Sequence, residues 1–229
     1  MRIEVITCWY REEILAPLFF QHYDWVDKVT VLTSKFSNGM DDWQKMDAIN
    51  LEILRSTADW VIVVDADEFV FPAPYGGVDP RKDLESSNGN CVVAAMFQVW
   101  RHHTDKDIDP TKPPVPQRVH GELDQSNRLN SCYVKPCIFR PTGMMVGIGC
   151  HSLVGAVEVS MLRWCGAHWC NADPVFITRR IRDRQQRMSQ RNLEAGAGIH
   201  HNFTVEEITA AQTQHLNDPV VIELTGHSK

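Results

Sequence analysis

In the first 70 residues, short apolar runs rich in valine and isoleucine alternate with segments whose apolar positions recur every three to four residues. The first pattern is that of buried strands and the second that of amphipathic helices, so their alternation predicts βαβ units around a largely parallel sheet. Residues 3–8 form the first predicted strand. Residues 12–23 come next as a helix, with Ile14, Leu15, Leu18, Phe19 and His22 at helical spacing. Residues 28–32 give a second strand and 34–39 a polar loop. Residues 42–57 predict a second helix with Trp43, Met46, Ile49 and Ile53 in one stripe. Residues 60–64, Trp-Val-Ile-Val-Val, are apolar throughout, as suits a central strand covered on both faces.

Beyond residue 70 the alternation gives way to less regular patterning. Residues 91–100 predict a strand, whereas 102–117 carry prolines at 113, 114 and 116 and predict a mobile surface loop. Residues 134–139 and 145–150 read as a hairpin around Pro141-Thr142-Gly143, and 159–164 as a last strand. Residues 174–193 predict a basic helix and 205–215 a short final one.

The chain has 229 residues, 43% hydrophobic and 23% charged, which suits one globular α/β domain with a sizeable core. A net charge of -6 argues against a nucleic-acid partner, which calls for a basic face. No apolar run approaches the roughly 18 residues of a transmembrane segment. Residues 1–6 read as a strand rather than the start of a signal peptide. Seven cysteines, an odd number, fit reduced thiols in a cytoplasmic protein better than a disulfide framework. Cys150, Cys165 and Cys170, with His151 and His168 among them, are spaced more widely than structural zinc ligands usually are.

The strongest chemical feature is the end of the third strand, where Asp65, Asp67 and Glu68 gather within four residues. Ligands of open parallel sheets collect outside the carboxyl ends of the strands. Two carboxylates flanking the small Ala66 would give a hard cation such as Mn²⁺ or Mg²⁺ oxygen ligands, with substrate phosphates completing its shell. The competing reading is that these acids cap a following helix.

With these residues in place, the sequence resembles the family 2-like glycosyltransferases of the GT-A fold, in the branch carrying an Asp-x-Asp-Glu-Phe motif. Residues 65–69 carry that motif, and Thr7-Cys8-Trp9-Tyr10-Arg11-Glu12 falls where the family ends its first strand in an Asn-Glu pair. Glu12 matches, while Arg11 replaces the usual Asn. The segment 23–29 resembles the approach to the family's second strand, although Thr33 stands where an Asp usually meets the base. Residues 135–141, 149–151 and 167–169 resemble softer landmarks of the second half.

The resemblance implies a GT-A-like single domain, an α/β fold whose mixed, mainly parallel central sheet is flanked by helices. It divides into a nucleotide-binding half (1–70), an acceptor-side half (71–173) and C-terminal helices (174–229). It implies metal-dependent transfer of a sugar, with inversion, from a nucleotide-sugar donor to a glycan or glycoconjugate hydroxyl, a UDP-sugar ahead of a GDP-sugar. Asp67 is then the metal ligand, and Asp65 the contact to ribose or to the metal's shell. Thr7, Trp9 and Glu12 line the nucleoside pocket, with Asp47 a further candidate for the base. A late histidine often completes such metal sites. His168 is the choice here, with His151 the competitor and a candidate for hydrogen-bonding substrate or for acting as the catalytic base. A general base for the acceptor hydroxyl is sought among Glu122, Asp124 and Glu158, with Asp124 favoured because it follows the Pro-rich loop.

The arginines of 179–187 could meet a pyrophosphate, but they read as spread over several faces of a solvated helix. Two other readings stand beside the transferase: a metal-dependent nucleotidyl- or phosphotransferase, and a non-catalytic nucleotide-sugar-binding domain. The former usually needs a Gly-rich phosphate loop, which is not visible.

Overall fold

The computed structural model describes residues 1–33, 41–122, 134–196, 204, 206–207, 209–210, 213 and 222–223. Strand β1 (Ile3–Cys8) lies between β2 (Lys28–Leu32) and β3 (Trp60–Val63) and runs parallel to both. Helix α1 (Leu15–His22) leads from β1 to β2, and α2 (Asp42–Arg55) precedes β3, so the predicted βαβ units are present. Side chains of a strand alternate between its faces, and β3 uses this to bind two cores. Trp60 and Ile62 join Leu15, Leu18 and Phe19 of α1, whereas Val61 and Val63 join Met46, Ile49 and Ile53 of α2. All four β3 side chains are fully buried, each such burial being worth about 1.5–3 kcal/mol.

Local chemistry sets where the helices begin. Asp41 caps α2 by accepting from the Gln44 backbone N–H at 3.0 Å. Helix α1 starts later than the predicted residue 12, because Arg11 sits at φ 54°, a left-handed conformation rare outside glycine, and turns the chain first.

After the acidic turn at 64–67 comes no helix but a second buried strand, β4 (Glu68–Pro72), so the acids do not serve as a helix cap. Strand β4 pairs antiparallel with β10 (Trp164–Asn171), which runs parallel to β5 (Cys91–Trp100). The short helix α3 (Pro80–Glu85) lies between β4 and β5 in the chain. Strand β7 (Val134–Phe139) lies antiparallel between β5 and β3 and joins the two halves of the sheet. At its far end β5 pairs with β6 (His120–Glu122), which pairs with β11 (Ile222–Glu223). These strands form one mixed sheet, parallel around β1 and extended largely by antiparallel pairings.

Several expectations for the second half change. Both edges of β7 are taken by β3 and β5, so it forms no hairpin with the next strand, β8 (Met145–Val146). Instead β8 pairs with β9 (Leu153–Val154). Among the described residues the last long strand is β10, not 159–164; Val159 makes only an isolated bridge to Cys91, and Met161 is exposed. The Pro-rich segment lacks strands and long helices, but it is pinned rather than loose. Gln117 donates to the carbonyls of Asp109, Lys112 and Pro113, and Val115 and Arg118 are buried. The predicted basic helix breaks into α4 (Pro174–Arg187) and α5 (Gln190–Glu194), because Ser189 leaves helical geometry to cap α5 through Asn192 N–H. Of the helix predicted at 205–215, the described residues 206, 207, 209, 210 and 213 are helical and the remainder lie outside the described residues. The six described cysteines are free thiols.

Candidate functional site

The acidic turn is clamped from three sides. The Asp65 backbone N–H donates to Glu68 Oε2 at 2.9 Å, while the Glu68 N–H returns a bond to the Asp65 carbonyl at 3.0 Å. Glu68 Oε1 accepts from the buried ammonium of Lys135 on β7. From α1's C-terminal end, the Tyr23 hydroxyl donates to the Glu68 carbonyl (2.9 Å) and accepts from Val70 N–H (3.1 Å). From β10, Trp169 N–H donates to the Asp67 carbonyl at 2.7 Å. Glu68 therefore shapes the turn, a role that its place in the motif does not disclose.

The two aspartates face different partners. Asp65 Oδ1 accepts from Lys45 Nζ of α2 at 2.6 Å. Burial works to raise its pKa, but Lys45 and then Lys135 outweigh that and hold its carboxyl well below the usual range. Asp67 has 1% side-chain exposure; its Oδ2 pairs with the Arg180 guanidinium and lies 3.4 Å from His168 Nε2. Its Oδ1 is buried without a hydrogen-bond partner. Burial opposes the charge of Asp67 as well, and Arg180 followed by His168 overcomes it. Arg180 also donates to Glu12 Oε1 at 3.2 Å, so one guanidinium bridges the end of β1 and the acidic turn. Burial raises Glu12 above the ordinary carboxylate value in spite of Arg180. His168 is shifted well up: burial opposes its charge, but Cys170 and Asp67 outweigh it.

A cavity opens beside this turn, lined by the end of β1, by Lys45 and Asp65, and by the arginine face of α4. Trp9 and Glu12 line it, as does Asp65. Thr7 is fully buried just behind, its Oγ1 accepting from Trp9 Nε1 at 3.1 Å, so it positions Trp9 rather than lining the cavity. Asp47 is exposed and outside the lining; the α2 side chain that reaches the site is Lys45, two residues earlier. His168, not His151, is the histidine within ion-pair distance of Asp67, and it sits inside β10 rather than after an apolar strand. His151 is exposed after the 3₁₀ turn at Ile148–Cys150. Asp124 lies outside the described residues, as does the side chain of Glu122, and Glu158 is exposed.

The arginine helix differs most from expectation. It is not a solvated element: Phe176, Ile177 and Ile181 are buried, and Asp173 caps it through Val175 and Phe176 N–H. Arg180, Arg184 and Arg187 recur at i, i+4 and i+7, which puts them on one face, and all three line the cavity. That spacing was the available signal; the partner 113 residues away was not.

No family model matches the chain, and no curated protein does. Its fold is similar to solved structures of S. aureus TarS. One, a crystal structure of TarS, shares 9% identity at a TM-score of 0.39 over 94% of this chain and 43% of that one. A second, of TarS 1-349, shares 10% identity at a TM-score of 0.34 over 95% of this chain and 71% of that one. The chain thus spans less than half the length of the first of these. Its function is therefore read from the residues of the site.

Among the described residues no three His, Cys, Asp or Glu side chains converge as a ready-made metal cage. Asp67 and His168 stand together, with Asp65 on the other side of Ala66. The cavity joins the Asp65 side of this turn to a wall of guanidinium groups, whose geometry suits phosphate oxygens.

Proposed function

We propose that the chain is a glycosyltransferase that moves a sugar from a nucleotide-diphosphate donor to a hydroxyl acceptor, with Mn²⁺ or Mg²⁺ held at Asp67. The observation that carries this reading is the unpartnered, buried Oδ1 of Asp67, at a strand-end turn beside a cavity walled by guanidinium groups. The donor set fits such an ion. A hard cation takes one or two carboxylates from the protein and fills its remaining positions with phosphate oxygens and water, so a protein cage of three or more ligands is not required. Asp67 would hold it, with His168 beside it and Asp65 able to meet the ribose or the ion's water. When bound, the ion supplies Lewis-acid stabilisation of the departing diphosphate.

The chain's own residues do the remaining work in this reading. Trp9, held by Thr7, and Glu12 wall the nucleoside side of the cavity. The Glu68–Lys135 pair fixes the backbone of Asp65. The test is a thermal-shift titration with UDP- and GDP-sugars, with and without Mn²⁺, on the wild type and on Asp67→Asn. A donor that binds only the native state raises its apparent stability. The expected result is stabilisation by one donor with Mn²⁺ and its loss in Asp67→Asn, with nucleoside diphosphate released on turnover. No stabilisation by any donor, or an unchanged response in Asp67→Asn, overturns the proposal.

A further inference from the structure

We propose that the cationic wall formed by Lys45, Arg180, Arg184 and Arg187 is a diphosphate-binding site in its own right, gripping the two phosphates even when no divalent ion is present. The identity of the ligand rests on the glycosyltransferase reading above; the site itself rests on the arrangement of charge. Six cationic side chains line the cavity against four acidic ones, an excess of two positive charges. Counting Asp67, which lies behind Arg180, one positive charge is still in excess. The acids are already engaged within the protein: Asp65 by Lys45, Glu12 and Asp67 by Arg180, Asp183 by Arg11 at 3.9 Å, and Asp41 by the cap of α2 and the Ser189 hydroxyl.

Two of the guanidinium groups have donors to spare. The Nε–H groups of Arg180 and Arg187 are buried without an acceptor, and the Arg180 side chain is only 10% exposed. A buried donor left unsatisfied is costly, and a phosphate oxygen is the acceptor that guanidinium geometry matches best. The arrangement also sets like charges together. Arg184 lies one turn from Arg180, and its pKa is lowered by burial first and by Arg180 second. An anion between them relieves that repulsion. From Arg180 to Arg187 the stripe covers about 10 Å of helix, long enough for two linked phosphoryl groups. Lys45 faces the same cavity from α2.

The experiment is calorimetric titration of the full chain with inorganic pyrophosphate and with UDP, each in EDTA and each in Mn²⁺, for the wild type, Arg184→Gln and Arg184→Lys. Wild type is expected to bind both ligands in EDTA, with affinity that falls steeply as salt rises. Arg184→Gln should weaken both by about tenfold or more, the scale of one charge-assisted hydrogen bond, and Arg184→Lys should restore part of the loss. Binding of UDP but not pyrophosphate would still support the wall, with the nucleoside needed for a measurable grip. Failure of the wild type to bind either ligand in EDTA overturns the proposal, as does Arg184→Gln binding both as wild type does. If nucleotide sugars bind only with Mn²⁺ and Arg184→Gln is unaffected, the wall falls while the transferase reading stands. If pyrophosphate binds in EDTA but no nucleotide sugar binds in any condition, the transferase reading falls and the wall stands.

Discussion

Replacing Lys135 by Met tests how the fold holds the acidic turn. Lys135 and Glu68 each have 2% side-chain exposure, and their charges meet beneath Asp65. Burial opposes the ammonium charge of Lys135, yet Glu68 and Asp65 more than compensate and push its pKa up. Met has nearly the same length and volume, so the substitution leaves little cavity and its cost is electrostatic. It strands the Glu68 carboxylate in the core, where breaking one side of a buried pair costs about 3–5 kcal/mol. That is a large share of the roughly 5–15 kcal/mol that holds a domain of ordinary stability together. Urea denaturation should show a midpoint displaced accordingly with little change in slope. Adding Glu68→Gln removes the stranded charge while keeping an oxygen for the Asp65 N–H, so the double variant should recover most of the loss. Such a recovery appears as coupling in a double-mutant cycle. A cost below about 1 kcal/mol for Lys135→Met, or a double variant less stable than the single, would refute the view that this pair is mutually dependent.

Two further outcomes come from other parts of the fold. His22 is buried with its Nε2–H donating to the Val70 carbonyl at 2.9 Å, and burial lowers its pKa from 6.5 to about 4. Its folded pKa lies below its unfolded one, so the stability held by the neutral ring is fully present above pH 6.5. It is lost as pH falls through that range toward about 4, to a limit of about 3 kcal/mol. His22→Gln should flatten stability between those pH values, and an equally steep profile in that variant counts against the assignment. At Gly89 an added Cβ would run into the Glu158 carbonyl oxygen and lie 2.7 Å from the Ser160 nitrogen. Both are backbone atoms that cannot rotate away, so Gly89→Ala should cost about 1–3 kcal/mol in thermal or urea unfolding.

The features legible in the sequence are those that depend on neighbours in the chain. The run β1, α1, β2, α2, β3 follows from alternating apolar periodicities, and the Asp65–Asp67 turn was legible because strand ends and acids are both local features. Trp9 and Glu12, singled out through the resemblance at the end of β1, line the cavity beside it. The positions of Asp47 and α4 were decided otherwise. Both Asp47 and Lys45 are polar residues on one helix, and only the docking of α2 against β1 chooses which reaches Asp65. Glu68 looked like a third acid and is instead an anchor, because Lys135 arrives from a strand 67 residues away. Arg180 meets Asp67 only because β10 pairs with both β4 and β5 and carries α4 back across the acidic turn. Secondary structure is set by short-range propensity and burial pattern, whereas a site assembled from distant segments is set by strand pairing and packing. The acidic turn was therefore visible from its own residues, and its cationic wall was not.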